Sequence, residues 1–123
     1  MADLFENPIG TDGFEFVEYT SPDPEALKAY FELLGFTAVA KHRSKNVLRF
    51  KQGDINFIVN MEPVGQPAEF RAIHGPSANA MAFRVKDARH AFEEAIRRGA
   101  KPVDSPIGPM ELDIPCIEGF GGA

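Results

Sequence analysis

Residues 14–35 read FEFVEYTSPDPEALKAYFELLG, and this stretch decides the fold. Phe14 and Phe16 alternate with Glu15, while Val17 and Tyr19 fill the other face, so Phe14 to Tyr19 describes a strand with both faces at least partly covered. Ser21-Pro22-Asp23-Pro24 then reads as a helix entry. The Asp23 carboxylate can accept from the free amides of a first turn, and Pro24, with no amide to lose, suits the first helical position. Leu27, Tyr30, Phe31 and Leu34 recur at helical spacing as one apolar stripe, and Gly35 is the expected left-handed stop. A stripe of that kind is made to lie on a sheet.

Three short β-type runs follow, at Phe36 to Ala40, Val47 to Lys51 and Ile55 to Asn60, punctuated by Arg43-Ser44-Lys45-Asn46 and by Gln52-Gly53-Asp54. They predict consecutive antiparallel strands. Residues 61–76 form a connector holding Pro63, Gly65, Pro67 and Pro76, with space for a short helix around Ala68 to Ile73. Beyond it the same grammar returns. Met81, Phe83 and Val85 alternate, Asp87 is placed to cap, Ala88, Ala91, Phe92, Ala95 and Ile96 share a helical face, and Gly99 stops it. Phe14 and Phe16 match Met81 and Phe83 at an offset of 67 residues, and Asp23 and Gly35 match Asp87 and Gly99 at an offset of 64.

The expected fold is therefore α+β, one domain of two β-α-β-β-β modules. Module one covers about 12–60, the connector 61–76 and module two about 77–123. In the second copy, strands at Lys101 to Asp104 and Asp113 to Glu118 lead into the turn-rich Gly119-Phe120-Gly121-Gly122-Ala123, so its last strand is missing. A sheet ending there has an unpaired edge that favours association with another chain or a covering segment. The natural chain is expected to continue past Ala123.

Thirteen basic and eighteen acidic side chains leave a net charge of −5, which repels polyanions, so a nucleic-acid partner is not expected. No segment approaches the roughly 20 apolar residues that span a bilayer, and the first residues carry no leader pattern. No membrane partner is expected, and a cytoplasmic location is. Eleven Phe and no Trp supply most of the aromatic packing. Cys116 is the sole cysteine, which rules out an intramolecular disulfide and reads as a small buried hydrophobe.

A mononuclear iron oxygenase site needs two imidazoles and a carboxylate converging on one metal. His42 lies at a strand edge in a basic turn, His74 precedes Gly75-Pro76, and His90 falls in the first turns of a helix; they have no ligand spacing and read as solvated or locally bonded. Glu15, Glu18, Glu111 and Asp113 could supply carboxylates, but Glu15 and Glu18 point to opposite faces of a strand and cannot work as an acid-base pair there. Surface placement is expected for them. Lys41-His42-Arg43-Ser44-Lys45 reads as a solvated hairpin tip rather than an anion site. Gly119-Phe120-Gly121-Gly122 lacks the Lys-Ser/Thr and following helix of a phosphate loop. Ser21, Ser44, Ser77 and Ser105 sit by turns without a histidine-carboxylate arrangement.

Gly13-Phe14-Glu15-Phe16-Val17-Glu18-Tyr19, His42-Arg43-Ser44-Lys45-Asn46-Val47 and Gln52-Gly53-Asp54-Ile55-Asn56-Phe57-Ile58-Val59-Asn60 together closely resemble the start of bacterial 4-hydroxyphenylpyruvate dioxygenases. His74-Gly75-Pro76-Ser77, Met81-Ala82-Phe83-Arg84-Val85-Lys86-Asp87, Gly108-Pro109-Met110-Glu111-Leu112 and Gly121-Gly122 follow in the same order. That family belongs to the vicinal oxygen chelate superfamily, and the resemblance implies glyoxalase-like modules forming cupped mixed sheets with helices on the outer face, in agreement with the repeat. The resemblance implies the N-terminal domain of an iron-dependent oxygenase of tyrosine catabolism that turns 4-hydroxyphenylpyruvate into homogentisate. It also implies a C-terminal catalytic domain as partner, a homo-oligomer, and Fe(II) held by that other domain. No catalytic, cofactor-binding or metal residue is carried over to this chain, which is expected to be inactive alone. The same pattern would suit the front domain of hydroxymandelate synthase, and a free-standing small-molecule-binding protein of the superfamily is the alternative from another class.

Overall fold

A computed structural model describes residues 5–104 and 111–123. The elements run β1 (Thr11–Thr20), α1 (Pro24–Leu33), β2 (Thr37–Lys41), β3 (Val47–Gln52), β4 (Ile55–Asn60), α2 (Gln66–His74), β5 (Ser77–Val85), α3 (Ala88–Arg97), β6 (Pro102–Val103) and β7 (Cys116–Ile117), with a single 3-10 turn at Phe120–Gly122. Five strands form one sheet in the order β2-β3-β4-β1-β5. β1 runs parallel to β4, pairing Val17 with Phe57, Glu18 with Ile58 and Tyr19 with Val59, while β2, β3 and β4 are antiparallel in succession. The sheet is mixed, with one parallel pairing beside two antiparallel hairpins.

The local signals act as read. Asp23 Oδ1 accepts the Ala26 amide at 3.1 Å, and Pro24 opens α1. Gly35 turns at φ +96°, which lets the Phe36 amide reach back to the Phe31 carbonyl at 2.9 Å. An added Cβ there would meet Gln52 Nε2 at 2.5 Å, the same nitrogen that donates to the Leu34 carbonyl. In the second copy Asp87 Oδ1 accepts the His90 amide at 3.1 Å.

The chain divides into two compact units. In residues 14–82 with 121–123, the core is Phe31, Phe36, Phe50 and Val59, with Tyr19, Leu27, Leu48, Phe57 and Met61 packed against it. Phe31 is its centre: its ring lies 5.1 Å from Tyr19, 5.8 Å from Phe50 and 5.1 Å from Phe57, all inside the range of favourable aromatic pairs. In residues up to 13 with 83–120, α3 buries Ala91, and the Lys86 amide donates to the Gly10 carbonyl at 3.0 Å.

Three differences from the sequence reading stand out. β1 begins at Thr11 and β5 at Ser77, each earlier than the apolar alternation, because Gly and Ala positions pair in a ladder without marking a face. α2 starts at Gln66, since Pro67 fits a first turn where no amide is needed. The strands expected at Lys101 to Asp104 and Asp113 to Glu118 shrink to β6 and β7, two residues each, paired among the described residues with each other. Pro102 and Pro115 remove the amides that would extend that ladder. Ser105 and Gly108-Pro109-Met110 lie outside the described residues.

Candidate functional site

Alternation along β1 sends Tyr19 to the core and Glu18 and Thr20 to the opposite face. On that face a polar row crosses three adjacent strands. Asn79 Nδ2 of β5 donates to Glu18 Oε2 of β1 at 2.6 Å, and Asn60, the last residue of β4, supplies a second side-chain hydrogen bond to the same carboxylate. Asn79 Nδ2 also donates to Gln66 Oε1 at 2.9 Å, and Gln66 Nε2 returns bonds to the Asn79 carbonyl at 2.8 Å and the Gly122 carbonyl at 2.9 Å. Beside the row, fully buried Thr20 accepts from Arg71 Nη1 at 3.1 Å, and Arg71 Nη2 donates to the Glu62 carbonyl at 2.8 Å.

Burial raises the Glu18 carboxyl above its ordinary value, against the opposing pull of the Asn79 and Asn60 bonds and of the Lys45 charge. Glu18 was expected at the surface with Glu15. Glu15 is exposed, but Glu18 is partly buried, because β1 lies between β4 and β5 and its neighbours cover that face. The sequence pointed to none of the row's other members. Their one signal was Asn60 and Asn79 standing in strand-like runs, where asparagine is disfavoured unless its amide is used.

The remaining candidates do not converge. His42 Nδ1 accepts the Ser44 and Lys45 amides at 3.2 and 3.0 Å, so its lone pair closes the turn between β2 and β3. Ser44 Oγ lies 3.4 Å from that same nitrogen, which its backbone partners already occupy. His74 Nε2 lies 3.1 Å from the Gly121 carbonyl with its ring against Phe70, and His90 Nε2 lies 2.8 Å from the Pro8 carbonyl. Ser21 Oγ donates to the Asp23 carbonyl and Ser77 Oγ to the Gly75 carbonyl, both local turns. Cys116 is half-buried, with Sγ 3.4 Å from the Ile114 carbonyl, and Asp113 is exposed.

An open groove of about 420 Å³ runs beside α1, walled by Tyr19, Leu27, Tyr30 and Phe31. Its size suits a small ligand, yet its polar members Ser21, Asp23 and Ser77 are spent on their own turns.

The iron that the resemblance implies does not fit the residues present. Among the described residues no three His, Cys, Asp or Glu side chains gather as a metal would need. The carboxylate of the polar row is met by amide N–H donors, which compete with a cation rather than help hold it.

Residues 5–123 match the family described as hydroxyphenylpyruvate dioxygenase, HPPD, N-terminal. The chain is 53% identical over 122 residues to a 4-hydroxyphenylpyruvate dioxygenase of Pseudomonas sp. (strain P.J. 874), covering 99% of this chain and 34% of that protein. It thus spans about a third of the length of the curated relatives it matches. Among solved structures, a xylose isomerase-like TIM barrel/4-hydroxyphenylpyruvate dioxygenase fusion protein superposes with a TM-score of 0.82 at 36% identity, over 98% of this chain and 20% of that one. A mutant 4-hydroxymandelate synthase from Streptomyces coelicolor superposes with a TM-score of 0.74 over 90% of this chain and 36% of that one; at 19% identity it shares the fold.

Proposed function

Because the chain belongs to the family of hydroxyphenylpyruvate dioxygenase N-terminal domains, we propose that it is the non-catalytic front domain of a 4-hydroxyphenylpyruvate dioxygenase. The observation that carries this reading is the match of residues 5–123 to the N-terminal family, together with 53% identity to about a third of such an enzyme. The histidines held by backbone groups and the amide-capped Glu18 support it, since among the described residues they do not gather into a set of groups for oxygen chemistry. The ferrous ion, the substrate pocket and the conversion of 4-hydroxyphenylpyruvate to homogentisate in tyrosine breakdown then belong to a C-terminal catalytic domain, the first partner of this one. In that reaction a 2-oxo acid is oxidatively decarboxylated, the ring hydroxylated and the side chain shifted. The single-domain, two-module organisation, a homo-oligomeric assembly and a cytoplasmic location complete the reading; no helix among the described residues is long and apolar enough to cross a membrane.

Reading the coding sequence past Ala123 tests it. A continuation carrying two strand-borne histidines and a late glutamate is expected, and a stop codon directly after Ala123 overturns the assignment. For residues 1–123 alone, metal analysis is expected to find no stoichiometric iron, and an oxygen electrode no uptake with 4-hydroxyphenylpyruvate. One iron per chain would relocate the chemistry into this domain.

A further inference from the structure

Asn79 is fully buried, and its Oδ1 is the one buried side-chain polar atom without a hydrogen-bond partner among the described residues. The rest of that side chain is saturated: Nδ2 has two protons and spends them on Glu18 Oε2 and Gln66 Oε1. Flipping the amide is no remedy, because Oδ1 would then face Gln66 Oε1, whose own Nε2 is held by two backbone carbonyls. The orphan acceptor needs a donor from elsewhere. An ionised Glu18 offers only acceptors, whereas the neutral acid offers one O–H.

We propose that Glu18 keeps a proton in the folded chain and shares it with Asn79, the acid O–H donating to Asn79 Oδ1 while Asn79 Nδ2 donates to Glu18 Oε2. The two side chains then form a reciprocal acid-amide pair between β1 and β5. No bond to carbon forms or breaks, and the proton exchanges with solvent when Glu18 ionises.

Every element around Glu18 enters the balance. Asn60 from β4, Gln66 from α2 and Asn79 from β5 are neutral, so none compensates a buried charge. Lys45, from the turn between β2 and β3, is the cation that favours ionisation, and desolvation outweighs it. Arg71 of α2 is turned to Thr20 Oγ1 and the Glu62 carbonyl, and Glu62 Oε2 accepts the Asn46 amide. Through Gln66 the pair also reaches Gly122, so losing the proton loosens the tie between α2, the sheet and the last residues. The sign follows from the raised folded value: this contribution is complete at pH below the unfolded carboxyl value and is lost as pH rises through the folded one.

Titration of ¹³C-carboxyl-labelled glutamate by NMR in the full chain tests the proposal. One glutamate is expected to titrate above the rest, to vanish in Glu18→Gln, and to fall in midpoint in Asn79→Leu, because losing the acceptor for the acid proton outweighs losing the Nδ2 donor that favours the carboxylate. A rise in Asn79→Leu would mean that Asn79 only donates to a carboxylate, and absence of any raised glutamate would mean that Glu18 is ionised throughout; either overturns the proposal. Should Asn79→Leu fail to fold, melting of Glu18→Gln across the same pH range decides. The Gln amide stands in for the acid O–H, so the wild-type melting temperature is expected to fall with rising pH where the variant's stays level, and equal slopes refute the shared proton.

Discussion

The ring of Phe36 stacks on that of Phe57 at 4.4 Å and an interplanar angle of 15°. Phe36 is the first residue beyond the left-handed Gly35 that ends α1, and Phe57 lies in β4, so the pair fixes where the chain leaves the helix relative to a strand not hydrogen-bonded to it. Phe36→Ala is expected to cost about 3 kcal/mol by urea unfolding, at the low end for a buried Phe, and Phe36→Leu under about 1.5 kcal/mol.

Gly35→Ala is expected to destabilise by about 1–2 kcal/mol, because φ +96° is strained for any residue with a Cβ and the new methyl displaces Gln52 from the Leu34 carbonyl. Gly53→Ala is the control. Gly53 also sits at positive φ, but nothing lies within 4 Å of an added Cβ, so thermal unfolding of the two variants separates backbone strain from the collision.

Asp23→Ala and Asp87→Ala each remove the acceptor for a first-turn amide, and each is expected to cost about 1 kcal/mol. Asparagine at either position keeps an acceptor and should restore most of the loss. Circular dichroism melts of the four variants check both statements.

Glu94 is held down to about 2 by hydrogen bonds from Arg97 and Arg98. A depressed carboxyl contributes stability above its unfolded value, and that contribution disappears as pH falls from 4.5 towards about 2. Glu94→Gln is expected to flatten this part of the acid unfolding curve and leave the curve above pH 6 parallel to wild type.

The helices were legible because their signals are local: Asp23, Pro24, Gly35, Asp87 and Gly99 act within a turn of where they stand. Strand existence was legible for the same reason. Strand order was not, since nothing in Phe14 to Tyr19 says that its neighbours will be Ile55–Asn60 and Ser77–Val85. The polar row was hidden by that ignorance. Alternation correctly put Glu15 and Glu18 on opposite faces, but only the arrival of Asn60 and Asn79 on either side makes one of those faces an interior. The last strands failed through Pro102 and Pro115, whose missing amides outweigh the apolar pattern around them.

Parallel pairing of β1 with β4 has a kinetic consequence. β2, β3 and β4 are successive neighbours and can zip as hairpins as soon as they leave the ribosome, with short loops to close. β1 is made first yet has no partner until Ile55–Asn60 has been synthesised, so the segment that opens the fold has to wait for the meander to offer an edge. Nascent chains whose Ile55–Asn60 segment has not yet left the ribosome should therefore display Tyr19 to chaperones, and chains in which it has emerged should conceal that ring.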